Sequence, residues 1–243
     1  MFVGRYNFQS ILGIIILAML LMPCSCVTYY PQAVDVPLIK GKGDMRLDAG
    51  GFMVPNINPN DEDHSVLLAD FGIHSTFTAG ITDLLAVQAH VSMDVISRAY
   101  VHGAFGIYKS FSEKTVMELY GGIGYGSGLS NGIKNEPMSE YLLTFAQYNI
   151  GQSGLGKSNI DYGMGLRGGY INTYYKGTYS DGLEYQQNGW MAEPTIFIRL
   201  GGRRAKYSVK VIYLWTETIT KEYYFPLSVS MGVNFHVGKK NRK

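Results

Sequence analysis

Ten stretches of this chain share one pattern, in which large apolar residues alternate with small or polar ones. The last stretch is the plainest. From Pro226 to Gly238, Leu227, Val229, Met231, Val233, Phe235 and Val237 alternate with Ser228, Ser230, Gly232, Asn234 and His236. Side chains on a strand point to opposite faces in turn, so this spacing predicts a strand with one oily and one polar side. A soluble sandwich strand reads the same way. The number of such stretches, their length and the character of their connections separate the alternatives.

The ten expected strands cover 44–54, 66–80, 84–93, 98–110, 115–126, 139–151, 158–173, 190–200, 206–218 and 223–237. Most are longer than the five or six residues, roughly, of a soluble strand. Odd strands are followed by the longer connections, such as Pro55–Ser65, Ser127–Met138 and Tyr174–Gly189, with Asp94–Ser97 the one short exception. Even strands are followed by short turns at Ile81–Asp83, Phe111–Lys114, Gln152–Lys157 and Gly201–Ala205. Long loops on one side and short turns on the other are the habit of outer-membrane barrels. The expected fold is therefore all-β: a single antiparallel up-and-down transmembrane β-barrel of about ten strands (eight is the alternative) with a narrow charged lumen. Its last strand must pair with 44–54 to remove both edges.

The start of the chain reads as an export address. Arg5 precedes a continuous apolar run from Ile11 to Met22, too short for a membrane-spanning helix. Pro23, Cys24, Ser25 and Cys26 follow. This resembles a bacterial lipoprotein signal, which implies a lipidated cysteine at Cys26, or alternatively at Cys24. The division expected is a signal peptide over 1–25, a lipidated tether over 26–43, a barrel over 44–238 and a basic tail over 239–243. The tether, from Tyr29-Tyr30-Pro31 through Pro37-Leu38 to Gly43-Asp44, resembles the leader of small exported barrel proteins of Bacteroidetes-type bacteria. That resemblance implies a Gram-negative outer membrane and no particular activity. With no cysteine after Cys26, the exported domain must hold together without disulfides.

Composition narrows the classes further. Charged residues are only 16% and the formal net charge is +2, so a nucleic-acid partner is not expected. Mean hydropathy is −0.01, which suits a wall that hides its oily half in alternation with polar residues.

The polar parity of the strands predicts which side chains face the lumen. The expected charge network comprises Arg46, Arg167, Arg199 and Lys210 against Asp48, Asp70, Glu118, Asp161 and Glu193. Such charges must pair or meet water, either as a structural filling or as a constriction that sets the selectivity of a small pore. Lys109 breaks the parity near a strand end, where its long stem can reach the interface. Strand six alternates only weakly.

Three histidines share the inner parity. With turns centred on Thr82 and near Ile96, His74 would face His90 and His90 would face His102. Opposite pairs would lie roughly 5 Å apart. Such a row either fills the lumen or holds a transition metal, the one cofactor these residues suggest. A turn centred on Glu113 sets His102 opposite Gly124. The inner-parity glycines Gly122, Gly124 and Gly126 then either relieve crowding or leave a cavity beside the row.

The functional expectation is a non-enzymatic barrel, serving as a narrow pore or in a structural or surface-interaction role. Its expected partners are outer-membrane lipid, the barrel-assembly and lipoprotein-export machineries, and a small solute or surface partner. A barrel-bound surface hydrolase (protease or lipid-modifying) and a soluble exported β-sandwich that binds a ligand are the alternatives. The resemblance in strand count to ten-stranded surface proteases brings Asp61, Glu62, Asp63 and His64 into view, with no matching partner set.

Overall fold

The computed structural model describes residues 34–57, 67–94, 98–128, 138–155, 159–176, 184–216 and 227–238. These residues form one antiparallel sheet that closes on itself. The strands are β1 (Met45–Ile57), β2 (Leu67–Gly80), β3 (Leu85–Asp94), β4 (Arg98–Ser110), β5 (Thr115–Gly128) and β6 (Met138–Leu155). Then come β7 (Ile160–Lys176), β8 (Glu184–Gly201), β9 (Ala205–Tyr213), β10 (Trp215–Thr216) and β11 (Leu227–Val237). From β1 to β9, each strand pairs with its neighbour in sequence. β1 pairs with β11, β11 with β9 and β9 with β8, which completes the ring. β10 keeps the β8 register that β9 sets, so it is the same stave resumed after Leu214. The barrel thus has ten staves, which rules out both the eight-strand alternative and the sandwich.

Polarity is inverted relative to a soluble domain. Ile73, Phe105, Ile123, Met164, Ile196 and Met231 are exposed on the outer face, whereas Arg167, Arg199, Lys210, Asp48 and Glu193 are fully buried inside. Lys109, the parity breaker, is exposed beside the β4–β5 turn, with Nζ 5.4 Å from the Phe111 ring centroid. Aromatic side chains gather at both ends of the outer face. Phe111, Tyr162, Tyr207 and Phe235 lie towards the short turns, and Tyr125, Tyr174, Trp190, Tyr213 and Trp215 towards the opposite rim. At about 3.3 Å per residue, the run from Tyr207 to Trp215 covers roughly 26 Å of strand, or about 20 Å of height at a tilt near 40°.

The segment expected as a tether takes an unexpected course. Val34, Asp35, Val36, Leu38 and Ile39 are all buried, inside the barrel. The chain descends the lumen to the turn-side mouth and turns at Gly43, whose N–H donates to Gly80 O, before entering β1. Residues 26–33, the signal and the tail 239–243 lie outside the described residues, as do Cys24 and Cys26.

Candidate functional site: the filled lumen

The inserted segment is held by groups from distant staves. The Asp35 carboxylate lies 2.8 Å from Arg199 on β8 and 3.4 Å from Lys210 on β9. The Asp35 carbonyl accepts from Gln147 on β6 at 2.8 Å. Glu118 on β5 accepts from the Ile39 N–H at 2.7 Å and from Asn149 at 3.0 Å. Val36 and Leu38 pack with Val116 and Phe197, and Ile39 joins the larger lumen cluster with Tyr108 and Tyr120. Leu38 adopts φ 58°, a left-handed conformation that a leucine keeps only where its surroundings over-determine it. Its burial and the Arg46 guanidinium, 3.4 Å from its carbonyl, do so here.

The expected charge network is largely assembled. Lys210 bonds Asp48 at 2.6 Å, Arg167 lies 3.5 Å from Glu193, and Arg46 lies 3.7 Å from Asp161. Glu118 meets the inserted backbone as described, which sequence parity alone does not reveal. The Asp70 side chain lies outside the described residues. Two partners lie outside the expected network: Asp35, in the segment expected as a tether, and Lys206, which bonds Asp161 at 2.5 Å. The alternation Val34, Asp35, Val36 followed by Leu38 and Ile39 is the signal that could have found Asp35.

The histidine row exists with a different register. Thr76, not His74, faces His90, and His74 faces Ser92, because the β2–β3 turn is centred one residue later than expected. His90 does face His102. The rings stack all the same: His90 and His102 are 4.7 Å apart at 10°, and His74 and His90 are 6.1 Å apart at 17°. His74 Nε2 bonds Ser230 Oγ at 2.8 Å and His90 Nδ1 bonds Thr76 Oγ1 at 2.7 Å. Imidazole lone pairs lie in the ring plane, so parallel stacked rings do not converge on a shared ion. Among the described residues no group of three His, Cys, Asp or Glu is arranged to hold a metal.

The space left by the inner glycines is occupied by aromatic side chains. A Cβ at Gly124 would sit 2.3 Å from the Tyr100 hydroxyl, one at Gly126 2.1 Å from Tyr141, and one at Gly122 2.5 Å from Phe145. The cavity envisaged beside the histidines is therefore filled. Tyr100 stacks on Tyr141 at 5.8 Å, Phe145 meets His102 edge-on at 5.1 Å, and Arg167 lies over Phe145 at 5.1 Å. The weak alternation of strand six follows, since Tyr141, Leu143 and Phe145 are apolar yet face inward.

At the turn-side mouth, Asp44 fastens the inserted segment to the seam. It accepts the Lys40 N–H at 3.0 Å and pairs with His236 on β11. Burial alone would raise its carboxyl, but the His236 hydrogen bond and charge, the Arg46 charge and the Lys40 N–H outweigh it and hold it below the ordinary value. A depressed folded pKa stabilises above the unfolded value and is lost as pH falls through the folded one. The unfolding midpoint of wild type should therefore exceed that of Asp44→Asn at neutral pH. The gap should begin to close below about pH 4. A constant gap from pH 7 to pH 2 would contradict this.

No protein-family model and no curated protein sequence matches the chain. Among solved structures, the crystal structure of Ail, the attachment invasion locus protein of Yersinia pestis, aligns at 7% identity with TM-score 0.27, covering 81% of this chain and 99% of that one. A TodX monoaromatic hydrocarbon channel deltaS2 mutant aligns at 8% identity with TM-score 0.30, covering 82% of this chain and 68% of that one. Neither likeness carries an inference about what this chain does.

Proposed function

We propose that the protein is a non-enzymatic outer-membrane β-barrel of a Gram-negative bacterium that stands closed, with its own N-terminal segment as the plug. The closed lumen is the observation that carries a structural or surface-interaction role over an open pore: Val34, Leu38 and Ile39 of the insert and Arg167, Arg199, Lys210, Gln147 and Asn149 of the wall are all inaccessible to solvent. The membrane reading is supported by the inverted polarity and the two aromatic rims, because apolar outward bands flanked by aromatics are what a bilayer selects. A charge on that outer band would cost about 2–4 kcal/mol at mid-depth, and the parity of the strands avoids it.

The narrow-pore reading survives in one specific form. The insert is a separate segment, and the wall that faces it carries Gln147, Asn149, Arg199, Lys210 and Glu118. Its withdrawal would expose a polar path. Lipidation at Cys26 (or Cys24) by the export machinery and Bacteroidetes-type origin belong to this reading. So do the partners: outer-membrane lipid along the belt, the barrel-assembly machinery, and a solute or surface partner at the loop side. The hydrolase candidates Asp61, Glu62, Asp63 and His64 lie outside the described residues.

Heat-modifiable migration on a detergent gel, with retention in proteoliposomes through an alkaline wash, tests the membrane reading. A chain that migrates the same boiled and unboiled, and that washes free, would defeat it. The stacked histidines support a packing role. Zinc titration of wild type and His90→Ala should give indistinguishable isotherms, and a saturable signal lost only in the variant would restore the metal reading.

A further inference from the structure

The turn-side mouth contains an open cavity of about 220 Å³. Lys40, Arg46, Arg203, Arg204 and Lys206 bring positive charge to its wall, which His236 also lines, and Asp161 is the one acidic lining residue among those described. Asp161 is itself engaged by Lys206 at 2.5 Å and approached by Arg46 at 3.7 Å. The cavity therefore carries a clear excess of cations.

Arg46 is built into the wall. Its residue is 4% exposed, and its Nε has no hydrogen-bond partner among the described residues. The other guanidinium contacts are long: 3.4 Å to Asn234 Oδ1, 3.4 Å to Leu38 O and 3.7 Å to Asp161. A buried guanidinium with five N–H donors is under-satisfied by such a set. Lys40, on the same wall, is pulled below the ordinary lysine range, first by desolvation and then by the Arg46 charge. An anion in the cavity would complete the Arg46 donor set and offset the repulsion between Arg46 and Lys40.

We propose that this mouth is a binding site for a phosphate-bearing anion, with Arg46 as its buried contact and Arg203, Arg204 and Lys206 around the entrance. Phosphate matches the donors better than a carboxylate does. It offers more acceptor oxygens to several cations at once, and a guanidinium can engage two of them side by side. The cavity is large enough for a phosphate or diphosphate group and too small for acyl chains. The group can belong to a soluble phosphate or to the headgroup of a phosphorylated lipid.

The test uses the full chain in a neutral maltoside detergent, with pyrophosphate titrated by calorimetry. In parallel, reconstituted protein is compared in vesicles of phosphatidylcholine alone and with added phosphatidic acid, by the protection of Arg203 and Arg204 from an arginine-specific reagent. Two variants are compared with wild type: Arg203→Gln/Arg204→Gln, which changes exposed side chains, and Arg46→Lys, which keeps the charge and loses the fork. Unchanged heat-modifiable migration certifies their fold. Saturable pyrophosphate binding that weakens about tenfold or more in the double variant and with added salt identifies a soluble source. Protection by phosphatidic acid vesicles with no pyrophosphate binding identifies a lipid source. The proposal is overturned if neither probe registers, or if pyrophosphate binds both variants as tightly as wild type.

Discussion

Deleting residues 34–39 is expected to turn a silent barrel into a conducting one in planar bilayers, whereas Asp35→Asn should open it only in brief events. The difference follows from magnitudes. Asp35 is the carboxylate that Arg199 pairs with among the described residues, and it is shared with Lys210, which keeps Asp48. Removing one partner of a buried ion pair costs about 3–5 kcal/mol, because the other charge is left without compensation. Against that stands the burial of Val34, Val36, Leu38 and Ile39. At about 1.5–3 kcal/mol for each large apolar side chain, those four retain roughly 6–12 kcal/mol as an upper estimate. The hydrogen bonds from Gln147 and to Glu118 also remain. Single-channel recording decides the matter. A deletion variant that inserts, shows heat-modifiable migration and still carries no current would show that the wall residues close the lumen by themselves.

The second large effect is expected at the seam. Gly50 of β1 faces Gly232 of β11. A Cβ on Gly50 would lie 2.2 Å from the Met231 carbonyl oxygen and 2.6 Å from the Gly232 Cα. A Cβ on Gly232 would lie 2.4 Å from the Ala49 carbonyl oxygen. These are contacts with backbone, which cannot rotate aside as a side chain can. Gly50→Val should therefore push the two strands apart where the barrel closes. Overpacking alone costs about 1–3 kcal/mol, and lost ladder bonds add to it. The expected result is at least about a tenfold fall in the ratio of closed to open protein, read as loss of the fast-migrating unboiled band. Gly103→Val is the matched control, because a Cβ there meets nothing within 4 Å and points outward. Equal folding of the two variants would remove the seam from consideration.

The wall was legible in the sequence because a barrel in lipid sorts its residues by parity. The charges of Arg46, Asp48, Arg167, Glu193, Arg199 and Lys210 each fall on the inner face as their strands predict. Pairing between staves was legible only as far as turn centres were. His90 and His102 meet as expected, but a one-residue shift at the β2–β3 turn moves His74 away from His90 by one inward position. What fills the barrel was least legible. Parity says that Gly122, Gly124 and Gly126 face inward, and says nothing of which neighbour leans over them. Tyr100 comes from β4, and Tyr141 and Phe145 from β6. The insert was hidden for a different reason. A Pro-containing segment before the first strand reads as a tether, and its burial depends on Glu118, Gln147, Arg199 and Lys210, which are remote in sequence.

The insert also ties the start of the barrel to its last stave. It sits within a ring that closes through β1 and β11, and the residues that grip it come from β5, β6, β8 and β9. A strand cannot pass sideways through a hydrogen-bonded wall, so once the ring is closed the segment can leave or enter only end-on through a mouth. The Asp44–His236 contact spans 192 positions of sequence and needs the last stave in place. The insert is thus a bolt in a closed ring, and the last stave is its clasp.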